Sequence, residues 1–187
     1  PSHAAILTAL PDSLRGGTDT DKRVEPAAVT LAERFQAAGY ATAGFFSGPY
    51  LHPAFGLGQG FERYEDCATY AAKIDGRPAA EWSMDKDVMV ESHKDVTNER
   101  VYGAVKKWLD TRPAKPFFLF AHFFDVHFDF TPPPPYDKKF DPTYEGWVDG
   151  KDFLFSDDYA KDMPSRDFQH LLALYDGEIA WTDSFIG

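Results

Sequence analysis

Apolar positions along this chain fall into short periodic blocks separated by long aperiodic stretches. Ser2 to Leu10 follows a Pro-Ser start and sets Ala5, Leu7 and Leu10 at mixed helical spacing, which predicts a helix opening on a turn. Pro11 to Pro26 is polar, charged and Gly-bearing and reads as a loop. Thr30-Leu31-Ala32-Glu33 has the pattern of a capping box, in which hydroxyl and carboxylate satisfy orphan backbone donors, and Leu31, Phe35 and Ala38 form an apolar stripe ending at Gly39. Tyr40 to Phe46 is β-compatible and is closed by Ser47-Gly48-Pro49. Helix followed by strand is the signature of an α/β layer and suits a parallel sheet.

Tyr50 to Asp87 is rich in Gly, Pro and aromatics without a period, and predicts surface loop with short elements. Thr97 to Asp110 carries Val101, Val105, Trp108 and Leu109 on one face and predicts a helix stopped by Pro113 and Pro116. The apolar run Phe117-Phe118-Leu119-Phe120-Ala121 then reads as a buried strand. Thr131-Pro132-Pro133-Pro134-Pro135-Tyr136 must be extended, as a rigid surface rim or as a polyproline ligand for a partner domain. Lys138 to Ser165 is acidic and aromatic and reads as a solvated loop. Asp167 to Ile186 sets Leu171, Leu174, Tyr175, Ile179 and Phe185 near helical spacing and predicts a final helix.

At 187 residues and 43% apolar content the chain is long enough for one domain, residues 1–187, with a packed core. Its formal charge of -11 argues against nucleic acid as a partner, because a phosphate backbone needs clustered Lys and Arg. A small anionic substrate requires a local cationic or metal site strong enough to overcome that acidic field. No apolar run is long enough to span a bilayer. Cys67 is the one cysteine, so no intrachain disulfide forms, and nothing basic adjoins it in sequence to activate the thiol.

The densest cluster of chemically able side chains is His122-Phe123-Phe124-Asp125-Val126-His127-Phe128-Asp129, directly after the apolar strand. Ligands in α/β sheets bind at the carboxyl ends of strands, so polar groups there carry a functional expectation. Three readings stand open: transition-metal ligation by imidazole and carboxylate, a hydrogen-bonded structural role, and a catalytic role for His127. In an extended segment His127 and Asp125 share a face that His122 does not.

Five segments, in order, carry a family resemblance: Pro1-Ser2-His3-Ala4 with Leu7-Thr8; Thr30-Leu31-Ala32-Glu33 through Ala38-Gly39-Tyr40-Ala41-Thr42-Ala43; Phe55-Gly56-Leu57 through Phe61 to Tyr64; Pro116-Phe117-Phe118-Leu119 to Asp125-Val126-His127; and Tyr175-Asp176-Gly177-Glu178-Ile179. Together they resemble the sulfatase branch of the alkaline-phosphatase superfamily, in the subgroup with Pro-Ser-His in place of Pro-Ser-Arg. Val126 departs from the usual Pro, and Ala9 from the usual Gly.

The resemblance implies an α/β fold of alkaline-phosphatase type, a central, largely parallel sheet flanked by helices. It implies a chain that is an internal piece, incomplete at both ends and inactive alone, because the family nucleophile lies two residues before Pro1. That nucleophile is a Cys matured to formylglycine, or a Ser or Thr. The implied activity of the intact protein is metal-dependent hydrolysis of sulfate, phosphate or phosphonate esters, with a sulfated carbohydrate among the candidate substrates. A phosphoethanolamine-type transferase and a non-catalytic binding domain are the alternatives. His127 maps onto the family His that contacts the anionic group near the leaving oxygen, and His3 onto a residue that holds the nucleophile and its anion, with packing at a helix start as the other reading of His3. Ser47, His52 and Asp125 are candidate substrate contacts, although Ser47-Gly48-Pro49-Tyr50-Leu51-His52 lacks the family's Lys and also reads as a turn with incidental polar groups. The divalent cation, Ca or Mg with Mn or Zn as alternatives, would be held by family segments that have no counterpart in these residues.

Overall fold

The computed structural model describes residues 2–10, 23–69, 86–111, 113–152, 156, 159 and 162–187. Most of the loop predicted for Pro11 to Pro26, and the later part of that predicted for Tyr50 to Asp87, lie outside these residues. The chain forms two compact units, one of Pro1–Ser92 with Arg100–His122, the other of His93–Glu99 with Phe123–Gly187. Helices are α1 (Ser2–Thr8), α2 (Leu31–Ala37), α3 (Lys86–His93), α4 (Asn98–Leu109) and α5 (Ser165–Ile186); strands are β1 (Ala41–Phe46), β2 (Arg63–Asp66) and β3 (Phe117–Ala121).

The first unit is built on a parallel three-stranded sheet in the order β2-β1-β3, with Ala43 opposite Arg63 on one side and Leu119 on the other. This is the α/β arrangement expected from sequence. β1 is central and buried from Thr42 to Phe46, as a parallel strand covered on both faces should be. β3 differs from expectation. Its apolar run suggests full burial, yet Phe117 is 45% exposed and the three residues after it are half-buried, because β3 pairs only with β1 among the described strands. β2 was not predicted: Arg63-Tyr64-Glu65-Asp66 has no apolar alternation, and its ladder with β1 makes it a strand. Arg63 and Glu65, two apart and so on one face, pair at 2.5 Å.

Gly44 lets the sheet accept Tyr64, since a Cβ there would stand 2.6 Å from the Tyr64 ring. That ring stacks on Phe46 at 4.6 Å, and its hydroxyl donates to the Leu51 carbonyl at 2.8 Å. The core joins Ala4, Leu7, Val24, Phe46, Leu51 and Leu57, with Phe61, Phe118 and Phe120 against it. The capping box of α2 is present: Thr30 Oγ1 accepts from the Glu33 N–H at 3.1 Å and the Thr30 N–H donates to Glu33 at 2.7 Å. The buried stripe of α2 is rotated from the predicted one. It runs through Ala32 and Phe35, the latter stacked on Phe118 at 4.6 Å, while Leu31 and Ala38 are exposed.

The second unit is dominated by α5. Leu171 and Leu174 pack with Val148, and Phe130 and Tyr144 lean on them. The predicted stripe is again displaced, for Tyr175 and Ile179 are exposed whereas Glu178 and Thr182 are buried. Gly177 permits a close approach, since a Cβ there would meet the Tyr136 carbonyl at 2.7 Å and Pro132 at 2.8 Å. The proline run thus lies along α5. The acidic segment before α5 is anchored to it: Asp141 takes a two-pronged bond from Arg166 and a third contact from His170 Nδ1 at 2.9 Å, which hold its carboxyl down at about 2.

Candidate functional site

In the first unit the chemistry-bearing side chains gather at the carboxyl edge of the sheet. One residue past β3, the His122 N–H donates to the Phe45 carbonyl at 2.9 Å, and the His122 carbonyl accepts the Ser47 hydroxyl at 3.2 Å. Ser47 is the residue after β1 and is fully buried, so its hydroxyl ties the two strand ends together. His3, at the start of α1, sets its imidazole edge-on to His122 with centroids 4.7 Å apart and an interplanar angle of 82°. Burial pushes His3 below the ordinary histidine range, so it works near neutral pH as an uncharged hydrogen-bonding group. His52 Nδ1 accepts the Ala54 N–H at 3.2 Å, capping the short turn Pro53–Phe55. In the neutral ring that bond assigns the proton to Nε2 and makes this edge a donor. Cys67 is buried and its thiol is pushed up to about 12 by burial and then by Glu65 and Asp66, which fits a structural cysteine.

Asp125 and His127 fall in the second unit. The Asp125 carboxylate accepts from the Thr97 N–H at 2.7 Å, the Asn98 N–H at 2.9 Å and the Thr97 hydroxyl, and so fastens the start of α4. That geometry makes Asp125 a brace for the turn two residues ahead of His127. His127 is exposed, and its Nδ1 lies 3.3 Å from the Phe128 carbonyl. A carbonyl only accepts, so Nδ1 carries the proton and Nε2 is the edge offered outward. The His127 ring is bracketed by Phe124, stacked at 4.6 Å, Phe128 at 4.1 Å and His93 at 5.1 Å.

Two groups here were not singled out from sequence. His93, the last residue of α3, sits where no periodic signal marks a helix. Glu178 was noted only within a motif, yet it is 3% exposed, accepts the Thr131 N–H at 2.9 Å, and is pushed up to about 8 by burial and by the nearby Asp125 charge. Its spacing gave the signal, since Leu171, Leu174, Glu178 and Thr182 lie on one helical face.

Among the described residues no three His, Cys, Asp or Glu side chains converge as metal ligands would, so these side chains do not fit the implied cation. No described helix is long and apolar enough to cross a membrane.

The model of the family described as Sulfatase matches residues 1–187. Curated proteins gave no match. Among solved structures, a protein of the alkaline phosphatase superfamily from Vibrio parahaemolyticus is 14% identical with a TM-score of 0.43, over 97% of this chain and 37% of its own.

Proposed function

The chain belongs to the sulfatase family, and on that premise we propose that the protein carrying it hydrolyses sulfate esters, or the related phosphate or phosphonate esters, with His127 acting at the leaving oxygen. The observation that carries the reading is the disposition of His127, exposed, with Nδ1–H given to the Phe128 carbonyl. Because that bond is kept in both the neutral and charged rings, the proton exchanged with a ligand is the one on Nε2. In the charged ring Nε2–H donates to the departing ester oxygen as an attacking oxygen bonds to sulfur or phosphorus and the ester bond breaks; the alcohol leaves, the sulfuryl or phosphoryl group stays on the attacking oxygen, and the neutral ring recovers its proton from solvent. Within the first unit, His3, kept uncharged by burial, and the donor edge of His52 are candidate hydrogen-bonding groups for an anionic ligand. Asp125 supports His127 by holding the turn that leads to it, rather than by offering a free group of its own, while in the first unit Ser47 ties two strand ends together.

A proton donor matters most when the leaving group is poor. His127→Ala should lower kcat for an alkyl sulfate by about 100-fold or more. A nitrophenyl sulfate, whose leaving oxygen needs no proton, should lose far less. Equal turnover of the alkyl ester by variant and parent would overturn the role, and an ester whose group passes to an alcohol acceptor in preference to water would mark a transferase.

A further inference from the structure

Three aromatic rings meet around His127, and they come from two segments far apart in sequence. His93 lies nearly flat on Phe128, with centroids 4.7 Å apart and an interplanar angle of 14°. It stands 5.1 Å from His127 and 5.9 Å from Phe124, and Phe124 in turn stacks on His127 at 4.6 Å and 24°. Phe128 is also the residue whose carbonyl takes the Nδ1 proton of His127.

We propose that His93 is a positioning residue for His127: by clamping Phe128 it holds the carbonyl that fixes the proton on Nδ1 and leaves Nε2 as the working edge. The proposal rests on the assignment of His127 above and adds to it the element that makes the ring's orientation unique. A stack on Phe124 alone leaves the proton of the neutral imidazole free to sit on either Nδ1 or Nε2, because a flat apolar face does not distinguish the two nitrogens. The carbonyl does distinguish them, since it accepts from one nitrogen only. The carbonyl is fixed only as well as Phe128 is, and His93 lies flat against the Phe128 ring. The role asked of His93 is that of a flat ring at the end of α3, so Phe should replace it and a side chain without a ring should not.

Nitrogen NMR of the His127 imidazole, in the intact protein at a pH where the ring is neutral, reads the tautomer without reference to turnover. The parent and His93→Phe should show one tautomer, protonated on Nδ1, and His93→Ala an average of two. Turnover of an alkyl sulfate should follow, with kcat falling about 10-fold in His93→Ala at nearly unchanged KM and recovering in His93→Phe. If His93→Ala fails to fold, His93→Leu, which fills similar volume without a flat ring, carries the same expectation. A single Nδ1–H tautomer in the ring-less variant, or a His93→Phe variant as impaired as His93→Ala, overturns the proposal. Undiminished turnover in His127→Ala would instead remove the assigned chemistry and leave the tautomer result standing, so the two failures are separable.

Discussion

In the first unit the largest fully buried side chains are mostly apolar, with Phe45, Phe46, Leu7 and Leu51 at 1% exposure or less, whereas in the second α5 buries His170, Glu178 and Thr182 beside Leu171 and Leu174. The apolar core of the sheet unit is held mainly by contacts without direction, and a neighbour of similar volume can take over most of what a core residue contributes. The second unit is held by partners of fixed geometry, such as the Glu178 acceptor for Thr131 and the Asn98 amide that donates to Thr182 at 2.9 Å. Buried polar groups of this kind specify a conformation, and they make it sensitive to protonation. The candidate proton donor His127 stands in the second unit, where orientation rather than apolar burial is being fixed.

The contrast breaks first, and most severely, at Phe46. It is fully buried, stacked on Tyr64, and part of the cluster that joins α1 to the sheet. Phe46→Ala should cost about 3–5 kcal/mol through lost transfer energy and a residual cavity, while Phe46→Leu should cost much less. Hydrogen exchange at the amides of β1 measures both. Equal loss in the two variants would mean that the ring's stacking geometry matters more than its volume, and the sheet unit would then resemble the other.

How far the sequence foretold these two regions follows the same division. The capping box at Thr30, strands β1 and β3, and helices α1, α4 and α5 come from periodicity and turn chemistry, which are local signals. β2 was not legible because Arg63-Tyr64-Glu65-Asp66 becomes a strand only through its partner β1. In sequence the stripe of α5 runs through Tyr175 and Ile179, because Glu178 and Thr182 do not look like core residues until their partners Thr131 and Asn98 are in place. The same holds for the site. His3 and His127 came from motifs, but the ring that flanks each, His122 for the one and His93 for the other, is a matter of distance in space.

A second measurement sharpens the contrast through pH. Glu178 is raised from an ordinary 4.5 to about 8 in the fold, so the folded state holds a proton that the unfolded state has released. Its effect on stability is absent below about pH 4.5; stability then falls as pH rises through the window up to about 8, and the penalty is complete above it. One proton taken up on folding changes stability by about 1.4 kcal/mol per pH unit, so the whole window is worth a few kcal/mol. Glu178→Gln should match the parent at pH 4 and be the more stable at pH 8.5, with the difference read at the amides of α5. A parallel pH dependence in parent and variant would show that burial of this carboxyl is not what tunes the second unit.

The smallest effect tests whether the sheet unit is as free of directional bonding as its core suggests. Thr30 Oγ1 accepts from the Glu33 N–H and donates to the Gln59 carbonyl at 2.8 Å, and the Gln59 amide returns to Glu33 at 2.9 Å and to the Ala28 carbonyl at 2.8 Å. One hydroxyl thus caps α2 and ties it to the loop that leads into β2, and Gly60 beside that loop leaves no room for a Cβ, which would stand 2.3 Å from the Glu33 nitrogen. Thr30→Ala removes the cap and the tie together and should cost about 1–2 kcal/mol, at the upper end for an N-cap, whereas Thr30→Ser keeps the hydroxyl and should cost a few tenths. The loss should appear in the exchange of α2 amides and leave those of β1 near the parent, because the core that protects β1 does not pass through this network. If β1 opened along with α2, the sheet would depend on a polar tie after all, and the division between the two units would lie in which residues are buried rather than in what holds each together.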